Sequence, residues 1–298
     1  GIFRILVLIT LFFILNTFFV SAAINVINVC SGCNFTSIQG AINNASSGDI
    51  INVSAGNYLE NIIINKSLII KGAKFGIDGR TRDGISGESV IDSNFADGTI
   101  QIQANNIVIN GFKIINSVKA IHVTEKSNNV NVKNNYISGG DDGVNLWRAN
   151  SADVEQNYIE NILISGITAG DDNGTSDTSD DIVTEAIIKN NKIINAKFGI
   201  TGYQSGSLIL NNEVRDCSIL YGAGIGGQFI NVKIINNSVT GYSNGAGIGF
   251  QGYANRPDSS SVSVQNNSLY NNGAGIFSNQ NLTGKNIAIN YNEIFNNV

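Results

Sequence analysis

The stretch Val130-Asn131-Val132-Lys133-Asn134-Asn135-Tyr136-Ile137-Ser138-Gly139-Gly140-Asp141-Asp142-Gly143-Val144-Asn145-Leu146-Trp147 contains three marks that recur along the chain. The first is the Asn pair followed by x-aliphatic. It returns as Gln156-Asn157-Tyr158-Ile159, Asn190-Asn191-Lys192-Ile193, Asn211-Asn212-Glu213-Val214, Asn236-Asn237-Ser238-Val239, Asn266-Asn267-Ser268-Leu269 and Tyr291-Asn292-Glu293-Ile294. The second, Gly143-Val144, returns as Gly166-Ile167, Gly199-Ile200, Gly224-Ile225, Gly247-Ile248 and Gly275-Ile276, with Ala120-Ile121 upstream. The third is an alternating stretch before each Asn pair, as in Val130/Val132, Leu208/Leu210, Val232/Ile234 and Val262/Val264. Three short strands per unit, with no helix signal between them, predict one rung of a solenoid per unit.

Composition agrees. Asn (46) and Ile (47) make up 93 of the 298 residues; Ile favours strands and Asn tolerates the left-handed turn conformation. A ladder of Asn side chains stacked at one turn of every rung is expected, and its role is structural. The expected fold class is all-β: a parallel β-helix with a short N-terminal capping helix. That helix is expected from the capping-box form Thr36-Ser37-Ile38-Gln39 and the apolar face Ile38, Ala41, Ile42 and Ala45, ending at Gly48. A net charge of −5 excludes a nucleic-acid binder, which needs a basic face.

Residues 1–23 read as a secretory signal peptide cut short at its start. Arg4 precedes an apolar run from Ile5 to Val20, and Ser21-Ala22-Ala23 offers a small-residue cleavage site. The competing reading is an uncleaved membrane anchor, for which the run is slightly short. Residues 24–49 are assigned to an N-terminal strand and the capping helix, and residues 50–298 to the β-helix, expected to be truncated at its C-terminal end. No membrane span is expected after signal cleavage. Cys30 and Cys33 are expected to form a local disulfide, with Cys217 buried as a small hydrophobe.

The segments Thr36-Ser37-Ile38-Gln39-x-Ala41-Ile42-x-x-Ala45, Gly48-Asp49-x-Ile51-x-Val53-x-x-Gly56-x-Tyr58-x-Glu60-Asn61 and Lys66-Ser67-Leu68-x-Ile70-x-Gly72 resemble the opening of the pectin-lyase-like superfamily. More narrowly, they are similar to the right-handed β-helix repeat proteins that include the copper-accessory protein NosD and many surface proteins. The resemblance runs over about residues 30 to 298. It implies the fold strongly, a single-stranded right-handed parallel β-helix, and the chemistry weakly. Of the polygalacturonase motifs only Gly140-Asp141-Asp142 matches. The nearest approach to the last pectin methylesterase motif, Asn255-Arg256-Pro257-Asp258, lacks its Gly and Trp. Copper delivery is poorly supplied by a chain with one His and no Met.

If the Ile of the second mark points inward, the next residue and the one two further on point outward. The first outward column is His122, Asn145, Thr168, Thr201, Gly226, Gly249 and Phe277. The second is Thr124, Trp147, Gly170, Tyr203, Gln228, Gln251 and Asn279. The substrate-binding candidates on this face are His122, Asn145, Trp147, Thr201, Tyr203, Gln228 and Gln251, because flat rings and planar amides suit sugar faces and hydroxyls. The bland alternative is a solvated sheet face.

The catalytic candidates are Asp141 and Asp142 in the turn entering that face, Lys119 one rung away, and Arg148 just past it. Simple turn aspartates are the competing account.

The excursion from Asp171 to Asp181 reads as a surface loop whose acids make Ca²⁺ the one cofactor to consider; no metal ligand is assigned. A second excursion runs from Gly252 to Ser261, and sequons at Asn34, Asn44, Asn52, Asn65, Asn173, Asn236, Asn266 and Asn281 arise readily in so Asn-rich a chain.

Three functions follow as expectations. The first is a secreted or cell-surface β-helix that binds a polysaccharide or cell-surface glycan, as a monomer or as part of a larger surface protein. The second is a polysaccharide lyase or glycoside hydrolase acting on uronate-containing glycans. The third is a structural adhesin or surface-layer module.

Overall fold

A computed structural model describes residues 23–95, 97–170, 184–229, 231–251, 261–279 and 286–297. The signal-peptide reading over residues 1–22, the Asp171–Asp181 loop and nearly all of the Gly252–Ser261 excursion lie outside the described residues.

The strands stack as a right-handed parallel β-helix. The alternating stretch before each Asn pair forms one eleven-stranded sheet, running from Val26–Val29 through Val130–Lys133 and Ser151–Glu155 to Asn286–Asn290. Every pairing in it is parallel, for example Val130 with Ala152 and Val132 with Val154. The two later strands of each rung belong to a second, seventeen-stranded sheet. Their columns merge because Tyr158–Ala169 and Lys192–Ser205 run unbroken through the bend. Inward residues form one core along the axis, in which Ile137, Ile159, Ile193, Val214, Val239 and Leu269 are all fully buried. Each such side chain contributes roughly 1.5–3 kcal/mol on leaving water.

Glycine in the second mark has a packing cause. A Cβ on Gly199 would overlap Val214 Cγ1, the aliphatic residue that ends the first mark of the next rung. The two marks are therefore the small and large halves of one contact.

The two Asn of the first mark divide the work. The first position carries the left-handed backbone, with φ 56° at Asn134, 57° at Gln156, 56° at Asn190 and 55° at Asn211. The second position carries the ladder. Asn157 donates its backbone N–H and its Nδ2 to Asn191 Oδ1 at 3.1 and 2.9 Å, and Asn191 does the same to Asn212 Oδ1 at 2.9 and 3.0 Å. The pattern continues through Asn237 and Asn267 to Asn292. A shorter ladder occupies the next bend: Tyr242 N donates to Asn272 Oδ1, and Asn272 N to Asn297 Oδ1.

The helix spans Ile38–Asn44 and stops short of Gly48 because Ala45 turns to extended backbone. Its N-cap is Ser37, which accepts from Gly40 N, and not Thr36 of the expected capping box. The partner for the helix start comes from another rung: the Glu60 carboxylate accepts from Ile38 N and Gln39 N at 2.8 and 2.9 Å. Ile38, Ala41 and Ile42 bury the helix against the first strands. Cys30 and Cys33 are disulfide-bonded. Cys217 is free and only half-buried, because it sits in a bend at the margin of the core and not on an inward strand position.

A segment unmarked in the sequence, Gly72 to Glu88, leaves the first sheet and straps the Asn bend. Gly79 N donates to Gln156 O, and the Arg82 guanidinium donates to Asn134 O and Phe112 O while pairing with Glu88 at 2.7 Å.

Candidate functional site

The third strand of each rung carries the outward column in the expected register. His122 pairs with Asn145, Asn145 with Thr168, Thr168 with Thr201, and Thr201 with Gly226. Tyr203 lies beside Gln228. What period-two alternation does not give is cover. Asn145 is 0% exposed and Gln228 1%, and Thr168 and Thr201 are also buried. These residues are corrected from solvent-facing contacts to the packed floor of the face. Rungs about 4.8 Å apart leave short side chains wedged between their neighbours above and below. Asn145 spends its amide locally, donating to Asp142 Oδ2 at 3.2 Å and accepting from Trp147 N at 3.2 Å.

Over this floor lies a cleft of about 240 Å³ whose lining includes Lys119, Asp141, Asp142, Trp147, Thr168 and Tyr203. The bend that enters the face forms one wall. Gly140, with φ 112° and no room for a Cβ against Ser117 O, turns the chain so that Asp141 N and Asp142 N both donate to Val118 O. One rung on, the strand bulges between Ile162 and Ser165, which pushes Ile164 outward onto the same wall. The opposite wall comes from the strand ends, where Trp147 stands 37% exposed and Tyr203 half-buried.

The electrostatics are set by burial. Asp142 is held above the usual carboxylate range, chiefly by burial, against the opposing pull of the Asn145 amide and the Lys119 charge. His122 is lowered to about 4, by burial first and then by Lys119, so its ring is neutral at pH 7. That ring meets Trp147 edge-on, with centroids 5.9 Å apart. Lys119 Nζ is paired with Asp97 Oδ1 at 2.8 Å and lies 5.7 Å from the Trp147 ring centre. Thr168 Oγ1 is buried at the base of the cleft and makes no hydrogen bond among the described residues.

The structure thus brings together Lys119, Asp141, Asp142, Trp147 and Tyr203, with His122 behind the indole. Gln251 belongs to a second hollow farther along the face. Arg148 is half-buried and contributes positive charge toward His122, but it does not line the cleft. Sequence reasoning missed Thr168 as an unpaired hydroxyl and Ile164 as a wall. A bulge cannot be read from period two, although Leu163-Ile164 is an apolar pair beside an Asn bend. No group of three or more His, Cys, Asp or Glu among the described residues is placed to hold a metal ion, and no helix there is long and apolar enough to cross a membrane.

A family model described as right handed beta helix region matches residues 75–239 and 142–298. A cell surface glycoprotein of Methanothermus fervidus is 31% identical over 150 residues, which are 49% of this chain and 19% of that protein. The match thus spans about a fifth of that relative's length. Among solved structures, a PL6 family alginate lyase aligns with a TM-score of 0.60 at 17% identity, over 91% of this chain and 40% of that one. A pectin methylesterase from Aspergillus niger aligns with a TM-score of 0.45 at 12% identity, over 93% of this chain and 87% of that one.

Proposed function

The chain belongs to the right-handed β-helix family, and from that premise we propose that it is a secreted or cell-surface solenoid that binds carbohydrate in the cleft between Trp147 and Tyr203. The observation that carries the reading is the composition of that cleft. Two aromatic side chains stand at its wall, carboxylates of Asp141 and Asp142 line it, and the Thr168 hydroxyl lies unpaired at its base. Sugars present apolar ring faces to aromatic surfaces and hydroxyls to carboxylates. Similarity to a cell surface glycoprotein supports the location.

The expected result on a glycan array is binding that falls about tenfold in Trp147→Ala and in Tyr203→Ala, while Phe75→Ala, on an exposed ring outside the cleft, leaves it unchanged. Signals that survive both cleft substitutions would sink the reading.

A catalytic reading is favoured by one observation, the raised carboxyl of Asp142. A carboxyl displaced in that direction suits a general acid. Lys119, another of the four candidates, is engaged with Asp97. Product assays on neutral and uronate polysaccharides test this reading, and turnover no greater than that of Asp142→Asn rejects it.

A further inference from the structure

A second hollow of about 310 Å³ lies on the same sheet face as the cleft, toward the C-terminal end. Its floor is made of small residues, Ala223, Ala246, Gly249 and Ala274, and its walls carry Tyr221, Gln251 and Phe277. Tyr221 comes from the bend that enters the face, as Ile164 does at the cleft. Gln251 and Phe277 come from the far ends of the strands, as Trp147 and Tyr203 do. The two hollows are therefore built on one plan, and the register connects them. Asp142 pairs with Ser165, Ser165 with Phe198, Phe198 with Ala223, and Ala223 with Ala246. Those four steps span about 19 Å at ~4.8 Å each. Between them the half-buried Phe198 stands in the column, and from the next rung on the neighbouring outward column drops to Gly226 and Gly249.

Tyr221, on the wall of the second hollow, is held in a costly conformation. Tyr221 is 80% exposed, yet its backbone sits at φ 60°, a conformation that costs a bulky residue about 1–3 kcal/mol. Phe277 lines the hollow from the strand Ala274–Ser278. Charge also differs along the face. Asp97, Asp141 and Asp142 outnumber Lys119 and Arg148 around the cleft, and none of the residues described around the second hollow is an acid or a base other than the Tyr221 phenol. A polyanion laid over this face would meet three carboxyl groups against two cations at one end, Lys197 over the Phe198 ring between the hollows, and no charged group lining the other.

We propose that the two hollows form one trough that takes a neutral oligosaccharide laid along the solenoid axis, with ring faces on Trp147 and Tyr203 at one end and on Tyr221 and Phe277 at the other. This rests on the carbohydrate reading above and adds to it the class, length and direction of the ligand.

Calorimetric titration of the full chain with neutral hexose oligomers and with uronate oligomers, each as disaccharide and hexasaccharide, tests the proposal. The neutral hexasaccharide should bind about tenfold or more tightly than the disaccharide, the gain expected from two further aromatic contacts. Phe277→Ala should remove most of that gain. Tyr221→Asn should do the same, and it keeps a residue that tolerates the left-handed backbone. Affinity that is indifferent to length, with Trp147-dependent disaccharide binding intact, would overturn the trough and leave the cleft standing. Tighter binding of the uronate series would overturn the neutral assignment. Absence of binding by every oligosaccharide would overturn the trough together with the carbohydrate reading beneath it.

Discussion

Asn191→Ala is expected to destabilise the protein by about 3–5 kcal/mol, on the basis of about 1–3 kcal/mol for each buried polar group left unpaired. Asn191 Oδ1 accepts both the backbone N–H and the Nδ2 of Asn157, and its own Nδ2 donates to Val154 O and Asn212 Oδ1. Alanine removes these four bonds, and a fifth from Nδ2 to Lys189 O, where Asn157 and Asn191 are both 0% exposed. The neighbouring first position gives the contrast. Asn211 is exposed and holds φ 55°, so Asn211→Ala should cost only about 1–2 kcal/mol, and Asn211→Gly should be close to neutral. Urea unfolding of the three variants checks the ordering. Equal effects at Asn191 and Asn211 would contradict the division of labour between ladder and bend.

Arg82→Ala is expected to cost a further 3 to 5 kcal/mol or so, the range for breaking a buried ion pair by removing one partner. The Arg82 and Glu88 side chains are 4% and 1% exposed. Alanine would strand the Glu88 carboxylate and release Asn134 O and Phe112 O from the guanidinium. The double substitution Arg82→Met with Glu88→Leu removes both charges and should recover much of the loss. Thermal melts of the single and double variants decide. A double variant as unstable as the single one would show that the strap is held by something other than this pair.

The fold was legible because the rung repeats its chemistry. An Asn at the same bend of successive rungs and a Gly opposite an aliphatic residue leave a mark at each turn, and the parallel register of Asn145, Thr168 and Thr201 followed from counting. The similarity of the two Asn hid their different duties, since a column of identical letters does not say which one bends and which one bonds. The second ladder was harder to see. Only its last members are Asn, at Asn272 and Asn297, and the corresponding places after the earlier left-handed residues are held by Ile162, Ala196, Cys217 and Tyr242.

The candidate site was legible in direction but not in depth. Alternation placed Asn145, Trp147, Tyr203 and Gln228 on one face, and only packing could tell that Trp147 reaches solvent while Asn145 and Gln228 are buried. The bulge that brings Ile164 to the cleft and the strap from Gly72 to Glu88 depend on contacts between distant rungs, which no local pattern encodes.

Trp147 is the only tryptophan, so its emission reports the cleft directly. Titration of the protein with the glycan that the array selects should shift that emission saturably, with a midpoint matching the calorimetric affinity. Undiminished glycan binding with no change in Trp147 emission would place the ligand elsewhere and contradict the account.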